Sequence, residues 1–483
     1  MASTSTRTTM PQPAPLPPVH RGMSHLDRDA FSTTVPLLAA RVPGSRTTKF
    51  LKDDGKDFIL RMRGIAAVHS DPSAQHRRIF LRTGDKAQLP AELLEVLKQN
   101  EAELVESSVT LGYEHWTSDE ILQAILPEDL LDESPTAFSQ CGHIAHLNLR
   151  DRYLPHRHLI GQVILDKNKS LRTVVNKLDS IDNVYRNFQM EVLAGDADFN
   201  VEMSEHECKF RFDFSKVYWN SRLQTEHARL VATFKPTDIV VDGFAGVGPF
   251  AIPAGRKGCG VLASDLNPAS AEALKGNAEL NKVEKTVRTS NEDGRDFIRR
   301  SILAIWNDPF PEYQPPLTAR ERAKRARAAN AAKAAANASA SSADASSSSS
   351  AAPTPAPEPA LEPTAPTAPP RRLPQHYIMN LPASALEFLD AYRGLFRPLY
   401  DLVGEAEAKK AVKEAGGLPV VHCYCFTKEV EDAEGDICRR ATAALGFPVH
   451  PTLPDFDLHY VRDVAPRKIM YCLSFRLTEE MVE

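Results

Sequence analysis

The sequence predicts an α/β protein, with a doubly wound, mostly parallel Rossmann-like sheet in its second half and smaller α+β N-terminal domains ahead of it. Three observations predict this. Ile239, Val240 and Val241 form an apolar run that ends in Asp242 and breaks at once into Gly243, Gly246 and Gly248, which reads as a buried parallel strand opening into a tight glycine loop. A second short strand, residues 260–264, ends in Asp265, and a carboxylate about 20 positions after the first strand suits a grip on ribose hydroxyls. Strand-like and helical stretches also alternate from residue 236 to 477 once one compositionally foreign segment is set aside.

At 483 residues the chain is long enough for several domains and a substantial core. The formal net charge of -5 advertises no global basic field for nucleic acid, although a local basic face is compatible with it. The seven cysteines are scattered without CxxC spacing, as expected of reduced thiols in an intracellular protein. No apolar run reaches the length of about 20 residues that a membrane span requires, so no membrane partner is expected.

Taken in order, residues 1–45 read as a tail. Residues 1–26 lack Asp and Glu and carry Arg7 and Arg21, faintly like a transit peptide, but prolines 11, 13, 15, 17 and 18 spoil an amphipathic helix. Disordered tail and weak targeting segment both stay open. Residues 46–140 form a first domain, with strands expected at 50–64 and 78–82 and a helix over 90–104. It holds no catalytic constellation, and its expected work is binding or scaffolding. Residues 141–215 form a middle module dense in basic side chains, among them Arg150, Arg152, Arg157, Lys167, Arg172 and Arg186. Composition leaves phosphate contacts and an ordinary solvated face equally open there. Cys141, His143 and His146 lack a CxxC partner, so no metal site is expected.

The catalytic domain spans residues 216–483. Residues 210–219 alternate like a strand, and 221–234 carry helical periodicity into the glycine-loop strand. An insertion, about 308–372, is Ala, Ser and Pro without a core-forming pattern and is expected to be disordered. Its basic run at 320–326 is solvated or makes accessory RNA contacts. Excising it leaves Asp293 and Gly294 one connection from a strand at 376–379. Strands at 418–426 and 468–477 follow, the last closing an antiparallel hairpin. Cys423 and Cys425 alternate along a buried strand and read as core.

The glycine pattern is GxxGxG rather than the dinucleotide GxGxxG, and by itself it is a weak signal. Asp242, Asp265 with Asn267 and Pro268 behind it, and the later Asp293 put three carboxylates at strand ends around one loop. That favours S-adenosylmethionine over a nicotinamide: glycines admit the methionine part close to the backbone, and carboxylates hold neutral hydroxyls and amines. The fold class narrows accordingly to a class I methyltransferase. At the end of the following strand, Asn380-Leu381-Pro382 offers a polar side chain where amino-group methyltransferases bind their acceptor, though a simple strand-ending turn also fits.

The stretches VYWNSRLQTEHARL (217–230), VDGFAGVGPFAIPA (241–254), SDLNP (264–268) and MNLP (379–382), with GHIAHLNLR (142–150) and VYRNFQMEVLAGD (184–196), resemble the tRNA guanine-37 N1-methyltransferases of eukaryotes and archaea. The resemblance runs from about residue 26 to the C terminus, without the insertion, and keeps the motifs in order across two domains. It implies a specific chemistry. Guanine N1 is protonated in the neutral base, so a base must remove that proton while charge builds on O6. By resemblance Glu226 is that base and Arg186 stabilises O6. Tyr218 and Asn380 position the flipped guanine, and Pro382 shapes the turn. The implied cofactor set is His227, Asp242, Phe244, Gly246, Gly248, Asp265, Leu266, Asn267, Asp293, Gly294 and Asn380. The resemblance also implies that the middle module helps hold the anticodon stem while the N-terminal region reaches a distant part of tRNA. It implies a monomer that acts in cytoplasm, nucleus and mitochondrial matrix. Ser221 departs from a proline common in relatives. Alternatives stay open: Glu226 as a surface residue of an amphipathic helix, Arg186 as a phosphate contact, a wybutosine-pathway aminocarboxypropyl transferase, and a catalytically silent tRNA-binding factor.

Overall fold

The computed structural model describes residues 13–133, 135–181, 188–313, 327 and 371–483, so Arg186 and most of the insertion lie outside the described residues. The chain divides into two compact units: residues 1–181 with 188–199, and residues 182–187 with 200–483.

The first unit contains two four-stranded sheets. Strands β1 (Thr33–Pro43), β2 (Val68–Ser70), β3 (His76–Phe80) and β4 (Glu103–Leu111) make an antiparallel sheet in the order β2-β3-β1-β4. Strand β1 is central, and successive side chains of a strand point to opposite faces. Leu38, Ala40 and Val42 join Phe50, Phe58 and the helix residues Leu93 and Leu97, while Leu37 and Ala39 join Trp116, Ile121, Ile160 and Val163. This corrects the expected 1–45 tail, because residues 33–43 are core strand. The chain just before it is also held: the His20 amide donates to the Ala124 carbonyl at 2.8 Å and the Arg21 guanidinium to that of Leu126 at 3.0 Å. A strand buried on both faces reads as a plain apolar run, so alternation gave no warning of it.

Residues 50–64 do not form the expected strand; Phe50–Asp54 is one π-helical turn, and only Ile59 bridges to Leu81. The helix expected over 90–104 is Ala91–Gln99. It stops where Glu101 takes a positive φ of 52°, and Leu104 already belongs to β4. The second sheet comprises β5 (Ser139–Cys141), β6 (Ile144–Leu147), β7 (Thr173–Ile181) and β8 (Phe188–Gly195), with β6 and β7 parallel. The Arg157–Lys167 helix and the capping-box helix Ser118–Ile125 contribute to one shared core. The division expected at residue 140 is therefore not a boundary between cores.

The second unit opens with the hairpin β9 (Asn200–Glu205) and β10 (Cys208–Asp213). Its Lys209 and Arg211 amides donate at 2.8 Å to the side chains of Asn281 and Asn277, at the end of the helix Pro268–Leu280. The hairpin thus belongs with the catalytic unit, and the boundary moves from 215 to about 199. Seven strands follow: β11 (Ile239–Asp242), β12 (Gly260–Ser264), β13 (Val287–Ser290), β14 (His376–Met379), β15 (Val420–Thr427), β16 (Asp457–Ala465) and β17 (Lys468–Arg476). Their order is β13-β12-β11-β14-β15-β17-β16. The first five are parallel and the last two antiparallel, the expected doubly wound sheet with its closing hairpin. On one face Val241, Tyr377, Cys423 and Phe475 pack against the helix Gly294–Asn307, the turn Ala385–Tyr392 and the helix Ala433–Leu445. On the other, Tyr424 meets Glu226 and His376 meets Phe234, both from the helix Gln224–Thr233 and its end. Phe310 and Arg371 exchange two backbone hydrogen bonds of 3.0 Å. The two ends that flank the insertion are therefore joined to each other, and the sheet order runs on from β11 to β14.

Candidate functional site

Parallel strands bring their carboxyl ends to one edge of a sheet, and the topological switch point, where the order reverses between β11 and β14, is where such sheets bind ligands. Asp242 ends its strand, and Asp265, Asn291–Asp293 and Asn380 follow theirs, on that edge.

Asp242 is fully buried. Its Oδ1 accepts the Phe244 amide at 3.3 Å, and its Oδ2 has no partner among the described residues. Burial pushes its pKa up to about 8, since desolvation disfavours the charged form. Asp265 accepts the Gly246 amide at 2.8 Å and the Asn267 amide at 2.9 Å, which ties the glycine loop to the tip of β12. Burial raises its pKa as well. Gly246 (φ 53°) and Gly248 (φ 99°) take left-handed backbone, the region that glycine enters without steric cost. A Cβ on Gly248 would lie 2.6 Å from Ile252, whereas one on Gly246 would meet only open space. Leu266 presents an exposed apolar side chain, 47% accessible, directly after Asp265. Two neighbouring carboxylates, one with an orphaned oxygen, beside an open glycine backbone and an apolar platform fit a ligand that combines neutral hydroxyl and amine donors with a flat apolar ring.

Other predicted cofactor residues do structural work. Asn267 caps the Pro268–Leu280 helix by accepting the Ala269 amide at 3.0 Å, and its Nδ2 donates to the Lys216 carbonyl at 2.7 Å. It thereby anchors the segment leading to Tyr218. Asp293 is an exposed N-cap that accepts the Arg295 amide at 2.9 Å. The Phe244 ring lies edge-on to Phe388 at 4.9 Å and occupies the space that a Cβ on Gly294 would fill. His227 is buried, with Nδ1 2.6 Å from Glu205 Oε1 and its ring edge-on to Phe250 at 4.8 Å.

On the acceptor side, Asn220 caps the turn before the Gln224–Thr233 helix and puts Glu226 in that helix's first turn. Glu226 is only 6% accessible, so it is not the solvent-facing residue of an amphipathic helix. Its carboxylate accepts from Arg229 Nη2 at 2.6 Å and Nε at 2.7 Å and from the Tyr424 hydroxyl at 2.8 Å, with His459 Nε2 at 3.4 Å. Tyr424 in turn packs on Phe250, with ring centroids 5.6 Å apart, and Phe250 directly precedes the helix after the glycine loop. Glu226 and the loop are thus one aromatic pair apart. Tyr218 is 45% accessible. Asn380 Oδ1 is buried without a partner among the described residues, and the Pro382 carbonyl accepts the Phe426 amide at 3.0 Å, fixing the turn to β15.

Sequence reasoning missed Arg229, Tyr424, His459 and Glu205. Arg229 had a legible signal in its i,i+3 spacing from Glu226. Tyr424 was hidden inside an apolar strand, and His459 and Glu205 reach the site only through tertiary folding. In the middle segment, Arg150 and Arg152 pair with Glu133, Arg157 with Glu191 and Arg172 with Asp198. The basic density there is largely matched by nearby carboxylates. Among the described residues no three His, Cys, Asp or Glu side chains converge as a metal site, and no helix is long and apolar enough to cross a membrane.

Residues 118–198 match the TYW2 N-terminal domain family, and residues 201–304 match the TRM5/TYW2 methyltransferase domain family. The chain is 45% identical over 478 residues to a tRNA (guanine(37)-N(1))-methyltransferase of Coprinopsis cinerea, covering 96% of each chain. It is 40% identical over 462 residues to the protein of that description from Schizosaccharomyces pombe, covering 95% of each. Among solved structures it is similar to the complex of aTrm5 and tRNALeu (TM-score 0.55, 19% identity, 91% of this chain and 100% of that one). It is similar also to Trm5b from Pyrococcus abyssi (TM-score 0.51, 21% identity, 91% and 98%). At these identities the two structures attest the fold.

Proposed function

The chain belongs to the tRNA (guanine(37)-N(1))-methyltransferase family, and from that premise we propose that it methylates N1 of guanosine-37 in tRNA with S-adenosylmethionine as donor. One observation carries the chemistry: Glu226 is a buried, oriented carboxylate on the same unit as the glycine loop, linked to it through Tyr424 and Phe250. The fit of the donor rests on the orphaned Asp242 oxygen, the paired Asp265 and the open face at Gly246.

S-adenosylmethionine, when bound, supplies an electrophilic methyl group. Asp242 and Asp265 accept hydrogen bonds from its hydroxyl and amine donors, and Leu266 offers an apolar surface to its ring. Glu226 takes the proton from guanine N1, which frees the lone pair that attacks. Tyr218 and Asn380 hold the flipped base, the orphaned Asn380 oxygen being suited to an N–H donor on the guanine edge. Arg186, which lies outside the described residues, is proposed to offset charge on O6. A methyl on this Watson–Crick edge blocks mispairing beside the anticodon, which protects the reading frame. We propose further that it is a monomer acting in cytoplasm, nucleus and mitochondrial matrix. Sedimentation and microscopy of the full chain test those points.

The deciding experiment is incubation with labelled donor and tRNA transcripts carrying G37 or A37, followed by nucleoside analysis. We expect 1-methylguanosine from G37 alone. An aminocarboxypropyl product, or no product, would overturn the assignment.

A further inference from the structure

A carboxylate offers about four lone-pair positions, and on Glu226 three accept hydrogen bonds, two of them from Arg229, one on each oxygen. Oε1 accepts from Arg229 Nη2 (2.6 Å) and Tyr424 (2.8 Å), and Oε2 accepts from Arg229 Nε (2.7 Å) with His459 Nε2 3.4 Å away. A guanine N1–H approaching either oxygen therefore competes with Arg229, which already holds both. Resting on the function proposed above, we infer that the Arg229–Glu226 pair is a latch of the tRNA-free enzyme: Arg229 leaves Glu226 when guanine enters, and Tyr424 keeps the freed carboxylate aimed.

The choice of Arg229 as the partner that yields follows from packing. Tyr424 is fully buried in β15, a strand paired on both sides, and cannot withdraw. His459 stands 3.4 Å from Oε2 without a hydrogen bond, and its departure would leave Arg229 on both oxygens. Arg229 blocks both oxygens at once, is 28% accessible and sits on a long side chain one turn along the same helix. Its planar fork also suits the anionic oxygens of an arriving RNA. In the reaction the proton passes from N1 to the Glu226 oxygen that Arg229 vacates. Arg229 and Tyr424 are thus positioning residues.

The groups facing Glu226 are Arg229 from its own helix, Tyr424 from β15, Cys472 from β17 and His459 from β16. His422 in β15 faces Arg229. Burial pushes Tyr424 well up and the Cys472 thiol to about 12, burial holds His422 well below the usual histidine range, and the bond to Glu226 raises Arg229. His459, the remaining group beside Glu226, is separated from it by substitution.

The test compares single-turnover pH profiles at limiting tRNA, which report the free enzyme, with profiles at saturating tRNA, which report the complex. Arg229→Gln should move the acid limb of the limiting-tRNA profile upward by about one pH unit or more, because a departed counter-ion favours the protonated carboxyl. The saturating profile should keep its midpoint, since Arg229 has already left Glu226 in the complex. A shift in both profiles means that the pair persists through the reaction, a shift in neither means that Arg229 does not govern the base, and either result overturns the latch. Arg229→Lys, which keeps the charge without the fork, should shift the limiting profile in the same direction by less, and it serves should the Gln variant not fold. A shift that disappears in the His459→Gln background belongs to His459 and also overturns the latch. The underlying reading is checked separately by 1-methylguanosine from the wild type and its collapse in Glu226→Gln.

Discussion

At the scale of single residues, Asp242 and Glu226 pose opposite problems: one buried carboxylate has an oxygen without a partner among the described residues and the other is held on both oxygens. Asp242 in the folded chain has a pKa of about 8, far above the ordinary value of about 3.9. A raised acid contributes its stability below the unfolded pKa, and that contribution is lost as pH rises towards 8, where the bare carboxylate must sit buried. Donor hydroxyls or amines offset that cost by favouring the anion. Donor binding should therefore weaken by up to about tenfold per unit as pH falls below 8, with proton release on binding. Calorimetry in buffers of different ionisation enthalpy reads both, and a pH-independent affinity would refute the role. Asp242→Asn should bind the donor at least about tenfold more weakly while leaving the unliganded protein no less stable at pH 8, because an amide carries no buried charge. For Glu226→Gln, single-turnover transfer should fall on the order of 10²–10⁴-fold with donor affinity nearly unchanged. Equal loss of both would make Glu226 a structural residue.

At the scale of elements, the glycine loop separates two reasons for having no side chain. Gly248 has both a left-handed φ and crowded surroundings, with Ile252 at 2.6 Å and Leu274 at 2.8 Å from a Cβ. Gly248→Ala should cost on the order of 2–3 kcal/mol in urea unfolding, from strain and overpacking together. Gly246 is equally left-handed but open. Gly246→Ala should cost only about 1–2 kcal/mol while its methyl projects where a ligand approaches the backbone, so donor affinity should fall more than stability does. If both variants lose stability alike and Gly246→Ala still binds donor normally, the loop is a structural turn and nothing more.

At the scale of the whole molecule, the described residues on either side of the insertion form a closed stem. Phe310 and Arg371 pair through their backbones, and the Arg371 guanidinium donates to the Pro236 and Gly258 carbonyls at 3.0 and 3.1 Å, fastening the return point to the sheet's first connections. Replacing residues 314–370 with a short flexible linker should preserve methyl transfer. It should raise stability by on the order of 1–2 kcal/mol, since closing a loop about tenfold shorter costs less chain entropy. A loss of transfer with the melting temperature intact would show that the insertion contributes to RNA engagement.

Much of the fold was written locally. The apolar run ending in Asp242, the glycines and the carboxylates at successive strand ends report the parallel sheet and its carboxyl edge, because a buried strand and a tight turn each constrain the residues that form them. The excised composition of the insertion was equally plain. Strand β1 was not, because a short apolar run beside a proline-rich tail carries no period to mark it. The roles of Asn267, Phe244 and Gly294 in caps and packing were also invisible, since a motif names residues without saying which way they face. By itself the sequence determined which residues stand at the carboxyl ends of the parallel strands and that Glu226 stands one element before them. Only the tertiary structure decided that Glu226 is buried, and that Arg229, Tyr424 and His459 close around it. Arg229 is supplied by the same helix, but Tyr424 and His459 come from an interior strand and an edge hairpin about 200 residues on, and only the winding of the sheet brings them to Glu226.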